Sequence, residues 1–187
     1  MTMKYWPVPD GHGGIPLRGS PGSFWEDRGD RRHCGVDLYA PAGSPVYAVE
    51  HGTVIETDVM TSPDILSYWN TTHSVLIRHG ALVAKYGELH DVTVAPGDIV
   101  RGGDLVGHVG TVLNPDAITA GAPQYIRRLG SHDDLSMLHF ELYRAKPPKH
   151  EAYLGGNWFG DSRPGILVDP TGYLMEAADT PSSAQRF

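Results

Sequence analysis

Glycine and proline interrupt this chain so often that little room is left for a long helix. Twenty-three Gly and fifteen Pro are scattered between short apolar runs, a pattern that predicts many turns and short strands. Residues 36–40 alternate loosely and stop at Pro41-Ala42-Gly43. Two β-branched runs follow, 45–49 and 52–57. The run 74–80 ends in a Gly turn and is answered by 81–86, which makes a hairpin. Residues 92–94 and 105–109 flank turns at Pro96-Gly97-Asp98 and Gly102-Gly103-Asp104. Strand and turn at this spacing predict an all-β single domain: a twisted, mostly antiparallel sheet or sandwich.

Two stretches depart from that rhythm. Residues 57–72 carry Ser62-Pro63-Asp64 and the pair Tyr68-Trp69, and residues 111–136 carry the one plausible helical turn, around 124–129. Loops of this length in a compact sheet usually form rims or lids, so Tyr68, Trp69 and Tyr125 are candidates for the wall of a substrate groove. After Tyr143 the chain is again rich in Pro and Gly. The expected organisation is an extended lead-in over 1–32, one domain over 33–174 and a loose tail over 175–187.

With 187 residues, the chain can bury one sizeable core. Its 40% hydrophobic and 20% charged content is that of a globular protein. The net charge of −7 and the lack of a basic run argue against nucleic acid as a partner. The single cysteine excludes an internal disulfide. The start shows no apolar signal core, and no stretch is long enough to insert in a membrane. A complete sequence of this kind is expected in the cytoplasm; one that had lost a leader would be expected outside the cell or in the periplasm.

The residue types that carry chemistry are His33 and Asp37, four positions apart, and the distant His139. Two imidazoles and a carboxylate form a ligand set for a divalent metal, and three protein ligands leave a position open for water. The pair His33 and Asp37 alone better suits a surface histidine and a turn aspartate, so the surrounding sequence has to decide.

That surrounding sequence resembles the lysostaphin-type zinc endopeptidases, which cut peptide bridges of peptidoglycan. His33-Cys34-Gly35-Val36-Asp37 runs into Ala40-Pro41-Ala42-Gly43-Ser44-Pro45-Val46-Tyr47-Ala48. In the same order as in that family come Trp6-Pro7-Val8-Pro9, Val75-Leu76-Ile77-Arg78-His79-Gly80, Tyr86-Gly87-Glu88-Leu89, Leu138-His139-Phe140-Glu141-Leu142 and Asp169-Pro170. The likeness spans roughly 6–174. It implies the duplicated hybrid motif fold, with loops forming a groove over one zinc ion per chain held by His33, Asp37 and His139. It also implies a peptide or peptidoglycan fragment as partner.

The resemblance breaks beside the ligands. Glu88 stands where the family has the histidine of Tyr-x-His-Leu, and Met137 where it has the first histidine of His-x-His. Methionine cannot donate a hydrogen bond to an oxyanion. A carboxylate can act as general base, so Glu88 is the candidate base. His90 shares a face with Glu88 if the segment is extended and is a second, lesser candidate. Cys34 and His79 are read as structural, Glu141 as a carboxylate behind His139, and His51, His108 and His132 as turn residues without a role. The implied function is hydrolysis of short Gly- or D-amino-acid-containing peptides by zinc-activated water. The alternative is a module that binds zinc and a cell-wall fragment or partner without hydrolysis. A carrier domain of the biotinyl-lipoyl type fails for want of a lysine at a hairpin tip.

Overall fold

The runs between turns become strands in the computed structural model, which describes residues 3–130 and 135–178. In chain order these are β1 (Arg32–His33), β2 (Val36–Tyr39), β3 (Pro45–Tyr47), β4 (Gly52–Thr61), β5 (Thr72–His79), β6 (Leu82–Val92), β7 (Ile99–Val100) and β8 (Leu105–Thr111). Then follow α1 (Gln124–Leu129), β9 (Ser136–Tyr143), β10 (Tyr153–Leu154), β11 (Asn157–Trp158), β12 (Leu167–Val168) and α2 (Thr171–Ala178). The main sheet runs β12-β9-β8-β6-β5-β4-β7, with β2 on β9 and β3 on β8. Its pairings are antiparallel, which makes the chain all-β, as the turn pattern predicts.

Strand β6 forks. Residues Val83 to Gly87 pair with β9, whereas Leu89, Asp91 and Val92 pair with β8. Glu88 occupies the branch point and has a positive φ of 61°. The long strand thus switches partner at the residue that the sequence marks as a substituted helper.

Alternation along β9 separates core from site. Leu138, Phe140 and Leu142 face a core shared with Val36, Leu38, Val75, Ile77, Tyr86 and Leu174. Each fully buried side chain of this size contributes roughly 1.5–3 kcal/mol. The intervening His139, Glu141 and Tyr143 point to the opposite face, as a period of two requires. There Tyr143 packs with Cys34, Leu76, Val83 and Leu167 in a second apolar cluster.

Several sequence expectations need correction. Residues 57–61 continue β4, because Thr57, Val59 and Thr61 sustain the pairing with β5; the loop proper begins at Ser62. The Pro/Gly-rich stretch after Tyr143 forms β10 and β11, and β11 pairs with β1 to make a separate three-stranded sheet. The chain end holds a second helix: α2 is started by Asp169, whose Oδ1 accepts from the Thr171 N–H at 2.9 Å. Leu174 and Ala177 are fully buried, so residues 175–178 are packed helix and not tail; 179–187 lie outside the described residues. The helical turn around 124–129 is α1. Among the described residues, no helix is long and apolar enough to cross a membrane.

Candidate metal centre

Strands β2 and β9 lie in a register that sets Asp37 directly opposite His139. Cross-strand partners point to the same face, within reach of each other. His33, four residues earlier, is anchored on β11 through its pairing with Asn157. The three side chains therefore meet: His33 Nε2 lies 3.1 Å from Asp37 Oδ1, His139 Nδ1 lies 3.0 Å from the same oxygen, and the two ring nitrogens are 3.0 Å apart. One donor atom from each residue falls within 4.8 Å of the others, which is a grouping that could hold a metal ion.

The surroundings fix the tautomers. His33 Nδ1 faces the Ser23 carbonyl at 2.9 Å, and a carbonyl only accepts, so Nδ1 carries the proton and Nε2 presents a lone pair. His139 Nε2 faces Glu141 Oε1 at 2.8 Å, so Nδ1 turns its lone pair toward Asp37. Three lone pairs thus converge on one point. This is the arrangement expected where imidazoles are oriented for a metal by carbonyl or carboxylate partners, and its mix of N and O donors suits zinc.

Without a cation, a proton takes that place. Burial alone would lower the His139 pKa, but hydrogen bonds and charges from Asp37 and Glu141 raise it to about 10. Burial likewise opposes ionisation of Asp37, yet His33, the imidazole hydrogen bonds and Arg28 hold its carboxyl well below the usual range. Exposure is 0% for His33, 4% for Asp37 and 1% for His139. The centre is nearly closed.

Glu88 reaches this neighbourhood from the fork in β6, since its neighbour Gly87 pairs with His139. Its backbone N–H meets Met60 Sδ at 3.2 Å. Its Oε2 is shielded from solvent and has no hydrogen-bond partner. Burial, then the Asp37 charge, push its carboxyl up to about 8. His90 differs from it in exposure: a register shift lies between Leu89 and Asp91, and His90 is open to solvent. Met137, two residues before His139, is half-buried and brings only a thioether.

The three aromatics that the sequence suggests as a groove wall cluster together on the insertions, with the Tyr125 ring 5.1 Å from the Arg31 guanidinium. Trp69 is buried and forms a small core with Leu113, Ala122 and Ile126, onto which Tyr68 and Tyr125 pack. The two long loops thus pack against each other through Trp69, with Tyr68 and Tyr125 half-buried beside it. A cavity of about 670 Å³ opens beside Cys34, Leu76, Tyr143, Tyr153, Trp158 and Ile166, none of the three aromatics among its walls. His79 is structural: its ring nitrogens contact the His51 carbonyl and the Tyr86 hydroxyl. His51 and His108 gain no role, and His132 lies outside the described residues.

Glu141 is the carboxylate behind His139, as the sequence suggests, but its own partners escape a reading of the sequence. It accepts from the hydroxyls of Tyr143 and Tyr153, the latter at 2.7 Å, and Lys85 donates to Tyr153 at 2.7 Å. Burial would raise the Glu141 pKa, but Lys85 and the bond from His139 bring it down to about 2. On the other side, Arg28 donates to Asp37 Oδ2 at 3.2 Å and to Asn157 Oδ1 at 3.1 Å. Arg31 lies between the rings of Tyr125 and Phe159, 5.1 and 4.4 Å from their centroids. Isolated arginines in a loop-rich lead-in give no such signal.

The sequence model of Peptidase family M23 matches residues 31–150, more than half of the chain. Among solved structures, CbpA from L. salivarius REN is 18% identical over 94% of this chain and 97% of its own, with a TM-score of 0.56. A chain of the SpoIIQ-SpoIIIAH pore forming complex is 18% identical over 98% and 96%, with a TM-score of 0.54. Lysostaphin from Staphylococcus simulans is 17% identical over 100% of this chain but only 59% of its own length, with a TM-score of 0.52. At such identities the likeness establishes a common fold. No curated protein sequence matches the chain.

Proposed function

The chain belongs to peptidase family M23, and on that premise we propose that it is a zinc-dependent hydrolase of short peptides containing Gly or D-amino acids, such as peptidoglycan cross-bridges. The observation that carries this reading is the meeting of three buried lone pairs, from His33, Asp37 and His139, next to a carboxylate oxygen that has no partner. One zinc ion per chain fits that donor set; when bound, it supplies a Lewis acid that polarises a carbonyl and acidifies water.

The chain's own residues supply the rest. Glu141 and the Ser23 carbonyl keep the two imidazoles turned toward the centre. Glu88 Oε2 takes the proton of the attacking water and returns it to the departing amine. Burial and the Asp37 charge raise the Glu88 carboxyl in the metal-free chain; a cation bound to Asp37 would offset the second of these and favour the ionised form that a base needs. Met137 offers the developing oxyanion nothing, and a lost donor of that kind typically costs ~10²–10³ in rate. The enzyme is therefore expected to be slow.

A second reading has its own support. Ligands no more than 4% exposed, together with Met137, also suit a zinc-bearing module that binds a cell-wall fragment or a partner without cutting it. The structural neighbour from the SpoIIQ-SpoIIIAH pore forming complex gives an example of a chain of this fold within an assembly. The deciding experiment loads full-length protein with zinc and offers pentaglycine and muropeptides to wild type and Glu88→Gln. Cleavage by wild type, slowed about 10²-fold or more in the variant, supports the hydrolase. Zinc-loaded wild type that is as inert as the variant across a broad panel overturns it in favour of the binding module.

A further inference from the structure

We propose that Arg28 is a positioning residue that confines Asp37 to a single donor oxygen at the metal centre. The inference rests on the metal-site reading above, but not on hydrolysis. The two oxygens of Asp37 are divided between two tasks. Oδ1 faces His33 Nε2 and His139 Nδ1 at 3.1 and 3.0 Å, whereas Oδ2 receives the Arg28 Nη2 N–H at 3.2 Å. A carboxylate whose second oxygen is tied to a guanidinium is turned away from chelating a cation with both, because the cation and the guanidinium repel each other at that oxygen.

Arg28 is not a loose surface cation that happens to lie nearby. Its side chain is 18% exposed and that of Asp37 is 6% exposed, so the pair is little screened by water. Its planar fork is held at three corners, which is what distinguishes a guanidinium from an ammonium. Nε donates to Glu26 Oε2 at 3.1 Å, Nη1 to Asn157 Oδ1 at 3.1 Å and Nη2 to Asp37. Glu26 Oε2 is itself placed by the Gly22 N–H at 2.9 Å, and the Gly22 carbonyl accepts the Asp37 N–H at 2.9 Å. Gly22 has a φ of +80°, and a Cβ there would lie 3.0 Å from that of Asp37. The loop thus closes a ring around Asp37 that only glycine at this position permits.

The consequence is a small coordination shell. Two nitrogens and one oxygen leave room for water and substrate, as in a catalytic zinc site. A carboxylate chelating through both oxygens would instead favour the higher coordination numbers of Mn²⁺ or Ca²⁺ sites. The positive charge on Oδ2 also draws electron density from Asp37, which leaves the bound cation more acidic.

The test uses the full chain loaded with cobalt(II), whose visible absorption is strong when four-coordinate and weak when six-coordinate. Wild type should give the strong, four-coordinate spectrum. Arg28→Gln should weaken it severalfold, and the preference for zinc over manganese should drop about 10–100-fold, the range that hydrogen-bond partners of metal ligands typically govern. Arg28→Lys keeps a cation on Oδ2 and should recover most of the absorption. An Arg28→Gln spectrum and metal preference identical to wild type would overturn the proposal, as would a six-coordinate wild type. If Arg28→Gln does not fold, Asn157→Ala loosens the same guanidinium from outside the ring, and no change there is equally fatal. A protein that shows these shifts yet cleaves no peptide retains this inference and loses only the hydrolytic reading.

Discussion

Glu88 combines two unfavourable features that a bystander would not keep. A non-glycine residue at φ 61° stores about 1–3 kcal/mol, and a buried polar atom without a partner costs about as much again. Its titration makes the second cost measurable. The carboxyl ionises near pH 8 in the folded chain against an ordinary 4.5, so between those values the folded state holds a proton that the unfolded state has released. Stability must then fall as pH rises through that window, by up to ~1.4 kcal/mol per unit. We expect metal-free wild type to weaken relative to Glu88→Gln from pH 5 to 8, and the two to run parallel below 4.5. Urea unfolding in the presence of a chelator reads this, and a constant difference across the range would show a carboxyl that titrates normally. The sequence made position 88 conspicuous, since a family pattern has histidine there. It could not show the fork in β6, nor that His90 is exposed while Glu88 Oε2 is shielded.

At the scale of elements, legibility followed periodicity. The hairpin of β5 and β6 was readable because two apolar runs meet at a clear Gly turn. Strands β10 and β11 have two residues each, too few to show any period, and α2 begins at Pro170-Thr171-Gly172, which imitates a turn. Yet the β10–β11 hairpin packs directly against the centre. Gly156, in its turn, has a φ of +80°, and a Cβ there would stand 2.7 Å from Cε1 and Nε2 of His139. Gly156→Ala should push that imidazole off its bond to Glu141 and lower zinc affinity by about tenfold or more. Gly165→Ala, where a Cβ meets nothing within 4 Å, should leave it unchanged. Competition with a fluorescent chelator compares the two, and equal affinities would mean that the hairpin does not bear on His139.

For the molecule as a whole, the sheet works as a partition. One face carries the main core, and the other carries the metal centre, the second apolar cluster and the cavity. The clustering of His33, Asp37 and His139 was legible because these residues sit in motifs whose order the family shares. The closure over it was not, since it is assembled from the lead-in, the 111–136 insertion and the stretch after Tyr143, which no sequence pattern links. Arg28 and Arg31 join those segments above ligands that solvent scarcely touches. That wrapping bears on time as well as on affinity. An ion seated there cannot be seized by a chelator from solution until the loops part, so its residence should be governed by an opening step within the protein. The rate of zinc removal should rise with chelator concentration and then level off at a plateau, and Arg31→Ala should lift that plateau. A rate proportional to chelator at every concentration would mean that the centre is always accessible. If the plateau is found, the same gate sets how fast a peptide enters and leaves, and turnover would report loop motion before it reports bond breaking.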